Sequence, residues 1–200
     1  MSETFLGMDF GGTKLLIGAS DASGKVLATK KYDSGYMDQR RALDFITQSL
    51  EDYFSHAAAN KPAAMGMGLV GRVDGKNGVW LEIDRERGEV IPICEILTKR
   101  FGIPCRADND VRSAAKAELR FGHGRNSRHF IYINLGTGIA AGMVTDGQVV
   151  YGNSFNAGEV GHTHAGIDAG TLCVCGRENC VETIASGRGL NECARRYAAR

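Results

Sequence analysis

Asp9-Phe10-Gly11-Gly12-Thr13-Lys14 lies between two apolar runs, and Asn134-Leu135-Gly136-Thr137-Gly138 stands in the same kind of setting further along the chain. At a near-constant offset Phe5 falls on Phe130, Asp9 on Asn134, Gly11 on Gly136, Gly18 near Gly142 and Asp21 on Asp146. Self-similarity of this kind marks a duplicated unit. Each copy reads as strand, glycine hairpin, strand, with Leu15-Leu16-Ile17 after the first turn and Ile139-Ala140-Ala141 after the second. Glycine lets backbone N–H groups approach and face a ligand, so two such hairpins can hold a polyphosphate from both sides. The repeat predicts nucleotide chemistry in a cleft between two related lobes.

Composition fits a soluble α/β enzyme. The chain has 200 residues, 43% hydrophobic and 24% charged, enough for one or two modest cores. A formal charge of +1 gives no electrostatic case for nucleic acid or an anionic membrane. Met1-Ser2-Glu3-Thr4 lacks a basic leader, and no apolar run approaches the roughly 18 residues of a membrane span, so a cytoplasmic protein is expected. Glycine is abundant at 27 residues while proline is only 3, which favours turn-rich folded structure over a disordered linker.

The patterning predicts strands near 4–10, 14–20 and 25–31, a helix near 39–58, a strand at 64–70, a helix near 93–101, a strand at 103–107 and a helix over 109–121. Leu43, Ile46, Leu50 and Phe54 carry the helical spacing of the first helix. Gly122-His123-Gly124-Arg125-Asn126-Ser127 reads as an inter-lobe linker. It splits the chain into residues 1–122, with the first hairpin, and 123–200, with the second. Strands at 129–135, 138–145 and 147–151 and a helix near 188–199 follow. That last helix reaches Arg200 without a stop signal, so the second lobe reads as truncated.

Gly66-Met67-Gly68-Leu69-Val70-Gly71 matches the dinucleotide fingerprint, but that motif must open a helix, and Arg72-Val73-Asp74-Gly75-Lys76-Asn77-Gly78 is turn material. No G-x-x-x-x-G-K-[ST] loop occurs, and Lys14 precedes a strand. The densest local signal is Cys173-Val174-Cys175-Gly176-Arg177-Glu178-Asn179-Cys180, preceded by His162 and His164. Three thiols and an imidazole supply the ligands of a closed, structural tetrahedral zinc site, and a disulfide is the weaker alternative in a reducing compartment. The two histidines would face opposite sides of a strand. Cys94, Cys105 and Cys193 read as small packed hydrophobes. Asp108-Asn109-Asp110 sits at a strand-to-helix junction, where helix capping and ligand binding at the carboxyl end of a strand are both open readings.

Taken together, these motifs resemble the ROK (repressor, open reading frame, kinase) family of bacterial sugar kinases, within the actin-like and hexokinase-like ATPase group. The two glycine hairpins are similar to the family's phosphate hairpins, and Asn109-Asp110 to the start of its catalytic motif. Ala157-Gly158-Glu159-Val160-Gly161-His162 resembles its sugar-binding segment, and the stretch from Cys173 to Glu182 its zinc loop. The resemblance implies a two-lobed α/β fold of the actin-like, ribonuclease H-like type. It also implies transfer of a phosphoryl group from ATP to a hydroxyl of a hexose or N-acetylhexosamine.

The same resemblance assigns roles. Asp110 would be the general base, and Asn109, Glu159, His162 and Glu182 would bind the sugar. Gly11, Gly12, Thr13, Lys14, Gly136, Thr137 and Gly138 would hold the ATP phosphates, Asp9 would hold Mg²⁺, and His162, Cys173, Cys175 and Cys180 a structural Zn²⁺. The expected partners are ATP and a small-molecule sugar, in a homodimer, with no nucleic acid and no membrane. Val111-Arg112, Ala140-Ala141 and Asn179 depart from the family pattern, and the family's adenosine-binding segment usually lies beyond the position of Arg200. Two alternatives to a kinase remain. One is a sugar-sensing regulator, which in this family carries a DNA-binding domain before the first hairpin, where only eight residues precede Asp9. The other is a non-catalytic sugar-binding relic.

Overall fold

The computed structural model describes residues 3–56, 61–83 and 88–198, and the chain divides between Asp110 and Val111 into two compact units. In the first unit β1 (Thr4–Phe10), β2 (Lys14–Asp21), β3 (Val26–Asp33), β4 (Ala64–Leu69) and β7 (Cys105–Asn109) form one sheet in the order β3-β2-β1-β4-β7. The first three strands are antiparallel neighbours, whereas β1, β4 and β7 run parallel. Strand alternation puts Leu6, Met8 and Phe10 on the same face as their cross-strand partners Leu15 and Ile17, and that face is buried.

Helix α1 (Gln39–His56) belongs to the same core. Its buried stripe is Ala42, Ile46, Leu50 and Tyr53, so the apolar face is turned slightly from the expected one, with Leu43 and Phe54 at its margins. The helix starts where Asp38 accepts the Arg41 N–H at 2.9 Å, and the expected residues 57–58 lie outside the described chain. Gln39 is buried with its amide satisfied twice by the Glu89 backbone, at 2.8 and 2.7 Å.

Gly66 and Gly68 lie inside β4, so the dinucleotide fingerprint opens no helix. The stretch expected to be turn holds a small hairpin, β5 (Arg72–Asp74) and β6 (Val79–Glu82), whose tip is tied by the Asp74 carboxylate to the N–H groups of Lys76 and Asn77. Trp80 on β6 is fully buried, meets Phe10 edge-on with ring centres 5.8 Å apart, and donates its indole N–H to the Val70 carbonyl at 3.0 Å. Helix α2 (Ile93–Phe101) ends at Gly102, which takes the left-handed conformation and donates to Thr98 at 2.8 Å. Helix α3 (Asp110–Phe121) follows β7 directly.

The second unit holds β8 (Phe130–Leu135), β9 (Ile139–Thr145) and β10 (Gln148–Val149), ordered β10-β9-β8 and antiparallel, then α4 (Val181–Ala185) and α5 (Gly187–Ala198). β10 is shorter than expected and is reached through a tight turn in which Asp146 and Gly147 both have positive φ. α3 packs on this sheet: a Cβ on Gly142 would stand 2.5 Å from that of Ala115. The glycine-rich stretch expected to link two lobes is instead a packed turn of this unit, with a short 3₁₀ helix at His123–Asn126. A side chain at Gly124 would lie 2.6 Å from the Phe130 ring, so glycine is kept there by close packing and not for flexibility. Residues 199 and 200 fall outside the described chain. Among the described residues no helix is long and apolar enough to cross a membrane.

Candidate active site

In the first unit the chemistry collects at the carboxyl ends of β1, β4 and β7. Gly68 is level with Asp9 on one side and Asp108 on the other. A Cβ on Gly68 would lie 3.3 Å from the Asp110 Cα and 3.8 Å from an Asp9 carboxylate oxygen. The missing side chain thus leaves room for the Asp9 carboxylate and the start of the Asp110 side chain on either side of one glycine. Asp110 is half-buried and opens α3, where the helix end favours its anion. The Asn109 side-chain amide donates to the Gly71 carbonyl at 3.0 Å. Gly71 itself has φ 90°, and a Cβ there would stand 2.2 Å from the Glu82 carbonyl, so only glycine fits. Asp108, which had no assigned role, is buried and accepts the Asn109 N–H at 2.8 Å.

The first hairpin closes with the Gly11 N–H donating to Lys14 at 3.0 Å, and Gly12, Thr13 and Lys14 are exposed. Among the described residues, nothing beyond its chain neighbours lies within 4 Å of the position a Cβ on Gly12 would take. Packing therefore does not demand glycine at this tip, while a ligand brought against the backbone would. The second hairpin closes at Gly136 and Gly138, 3.0 Å apart, with Gly136 and Thr137 exposed.

Glu182 is tied to that second hairpin. It is buried on α4, one carboxylate oxygen accepts the Ile139 N–H at 2.8 Å, and the other meets the Arg188 guanidinium at 3.1 Å. Glu159 is exposed, and its carboxylate lies 3.5 Å from Nε2 of His162. The other ring nitrogen of His162 lies 3.4 Å from the Cys173 sulfur, so one imidazole joins the Glu159 segment to the cysteine loop.

One donor atom from each of His162, Cys173, Cys175 and Cys180 lies within 4.8 Å of the other three. The sulfurs of Cys175 and Cys180 are 3.6 Å apart. The separations of 3.4 and 3.6 Å suit the edges of a tetrahedron whose centre is about 2.3 Å from sulfur and about 2.0 Å from nitrogen, the dimensions of a zinc site. Burial opposes ionisation of Cys175, but hydrogen bonds from Arg177 and from the neighbouring thiols outweigh it and bring its pKa down to about 6. Burial and the neighbouring sulfurs push Cys180 up to about 12. His164 sits apart, accepting the Gly166 N–H at 3.0 Å.

Two departures from the family pattern have local explanations. Asn179 has φ 56°, in the left-handed region where asparagine is the best tolerated side chain after glycine. Its amide also accepts from Ala169 at 3.0 Å and donates to Asp168 at 3.2 Å, closing the loop ahead of Cys180. Arg112 is buried, donates to the Phe155 carbonyl at 2.9 Å and stacks 5.1 Å from the Tyr151 ring centre, holding the segment just before Glu159. Sequence patterning missed this arginine, and a cation on an otherwise apolar helix face was its one signal.

Residues 5–199 match the ROK family. The glucokinase of Streptomyces coelicolor is 32% identical over 193 residues, an alignment covering 96% of this chain and 59% of that protein. A ROK family glucokinase from Streptomyces griseus, solved with glucose and AMPPNP, aligns with a TM-score of 0.81 at 30% identity, over 98% of this chain and 61% of that one. A ROK family transcriptional regulator, a homolog of the E. coli Mlc protein, aligns with a TM-score of 0.84 at 29% identity, over 100% of this chain and 51% of that one. The chain therefore spans somewhat over half the length of these relatives. With an actin-like α/β fold shared with these structures and a sequence match along nearly its whole length, the chain belongs to the ROK family.

Proposed function

We propose that the chain is the sugar- and phosphate-binding part of an ATP-dependent sugar kinase acting on a hexose or N-acetylhexosamine hydroxyl. The observation that carries this reading is that two aspartates, Asp9 by its carboxylate and Asp110 by its Cα and Cβ, close on the bare backbone of Gly68. Phosphoryl transfer needs a carboxylate for the metal and one for the attacking hydroxyl, and little other chemistry from the protein.

In this reading Asp110 takes the proton from the sugar hydroxyl as its oxygen attacks the γ-phosphorus and the bond to the ADP oxygen breaks. Asn109, Glu159, His162 and Glu182 accept or donate to the other hydroxyls. Backbone N–H groups of Gly11, Gly12, Gly136 and Gly138, with the Thr13 and Thr137 hydroxyls and Lys14, hold the phosphates. Asp9 offers the oxygen that a hard cation prefers, and Mg²⁺ bound there would offset charge on the phosphates. Zinc on His162, Cys173, Cys175 and Cys180 would be closed to substrate, so those residues shape the loop between Glu159 and Glu182.

A second reading, a sugar-sensing regulator, is favoured by the alignment with the Mlc-like structure along the whole chain. ADP release by the full-length protein, assayed with glucose and with N-acetylmannosamine, separates the two. Sugar-dependent turnover supports the kinase. Sugar binding without turnover supports the regulator.

A further inference from the structure

We propose that Arg188 is a positioning residue that couples nucleotide binding to sugar binding, by holding the Glu182 carboxylate until phosphate draws it away. The inference rests on the kinase reading for the identity of the two ligands, and on this structure for the coupling.

Glu182 uses its two oxygens differently. One is fixed by the Ile139 N–H at 2.8 Å, and a Cβ on Gly138 would lie 2.6 Å from it, so the carboxylate is seated against the hairpin backbone. Among the described residues the other is held only by Arg188, at 3.1 Å. The Glu182 side chain is 12% exposed and that of Arg188 53%, so the guanidinium can swing while the carboxylate cannot. The Arg188 N–H also donates to the Thr137 carbonyl at 3.4 Å, placing the start of α5 beside the hairpin tip. Arg188 borders a cavity of about 620 Å³ whose walls include Gly136, Thr137, Thr171, Thr183 and Arg195.

With its cation half-exposed, this ion pair is weakened by solvent and opens more readily than a fully buried one. A phosphate group offers the same guanidinium a bidentate, more highly charged partner. Phosphate entering by Thr137 would turn Arg188 toward the cavity and free one Glu182 oxygen for a sugar hydroxyl, while the Ile139 N–H keeps the carboxylate in place. Each ligand then raises the affinity for the other by the same factor.

Calorimetry on the full-length protein tests this, with glucose and N-acetylmannosamine as probes, each titrated with and without a non-hydrolysable ATP analogue. The expected result is sugar binding at least about fivefold tighter with the analogue, the lower end of typical couplings. In Arg188→Gln that ratio falls to one, because sugar affinity without nucleotide rises to the wild-type nucleotide-bound level while analogue affinity drops. A purely structural role would weaken both ligands instead. Arg188→Lys, which keeps the charge without the fork, should retain part of the ratio. An unchanged ratio in Arg188→Gln, or weaker sugar binding in its nucleotide-free form, overturns the coupling. If the wild type still phosphorylates sugar in that case, the kinase reading survives; a wild type that neither binds nor phosphorylates either sugar defeats both.

Discussion

The two glycine hairpins are built alike and buried differently. Gly7 pairs with Gly18 in the first, and Tyr132 with Gly142 in the second, so the repeat holds at an offset of 125 on one strand and 124 on the other. The single-residue difference is absorbed in the turns, residues 11–14 against 136–138. Leu6, Met8 and Phe10 are between 1% and 5% exposed. Their counterparts Ile131, Ile133 and Leu135 are 62%, 59% and 72% exposed. In the first unit that face shares a core with α1; among the described residues nothing equivalent lies over β8. Local pattern thus decides which side of a strand is apolar, and elements distant in sequence decide whether that side is buried. The chemistry divides too, because Asp9 in the first hairpin is matched by Asn134 in the second.

The strongest way to break the comparison is through the carboxylates. If acid–base chemistry resides in the first unit, Asp110→Asn in the full-length protein should cut kcat by about 10² to 10⁴, since asparagine keeps the shape but cannot take the proton. Asp9→Ala should impair Mg·ATP-dependent turnover with little change in sugar affinity, and Asn134→Ala should do neither. A normal kcat for Asp110→Asn removes the asymmetry.

Stability offers the next test. Met8→Ala should cost about 2–5 kcal/mol in urea unfolding of this chain, the usual penalty for emptying a packed site. Ile133→Ala, at the equivalent position, should fall within about 0.5 kcal/mol of wild type. A large loss at Ile133 would mean that the face is covered in solution.

Metal removal sharpens the contrast from the second unit. Cys175→Ser or chelation should lower sugar affinity about 10- to 100-fold and spare nucleotide affinity, with bound zinc read by elemental analysis. His164→Ala should keep the metal.

The smallest expected effect is in acid. Burial pushes the Asp74 carboxyl up, but hydrogen bonds from Asn77 and Lys76 outweigh it and leave it below its ordinary 3.8. A lowered folded pKa gives stability that is full above the ordinary value and lost as pH falls through the folded one. The first unit should therefore lose this group's contribution only below about pH 4. Zinc bound at the proposed site in the second unit should be shed at higher pH, as protons compete for sulfur and imidazole. Unfolding curves of wild type and Asp74→Ala that keep the same separation at pH 3 and pH 7 would contradict the Asp74 term.

Much of the fold was legible because glycine pairs flanked by alternating apolar residues leave few alternatives to a hairpin, and because Asp110 marks a helix start. The cysteine spacing brought the four zinc-type donors together on the same grounds. Less legible was the β5–β6 hairpin, since Arg72–Gly78 carries turn residues and its pairing depends on Trp80 being buried by distant Phe10. The packed turn at Gly124 was also hidden, because a glycine kept by contact with Phe130 reads in sequence like one kept for flexibility. At the site, residue types were readable and partners were not. Nothing local announces that Glu182 will be divided between Ile139 and Arg188, or that Arg112 will be buried against Tyr151.

Trp80 is the only tryptophan in the chain. Because it is wholly enclosed in the first unit, its emission colour is a built-in witness to that half alone, and the half with the cysteine loop is dark to it. A red shift on warming dates the opening of the first core, while loss of helical circular dichroism sums over both units. Any gap between the two curves measures how far the halves melt as separate bodies.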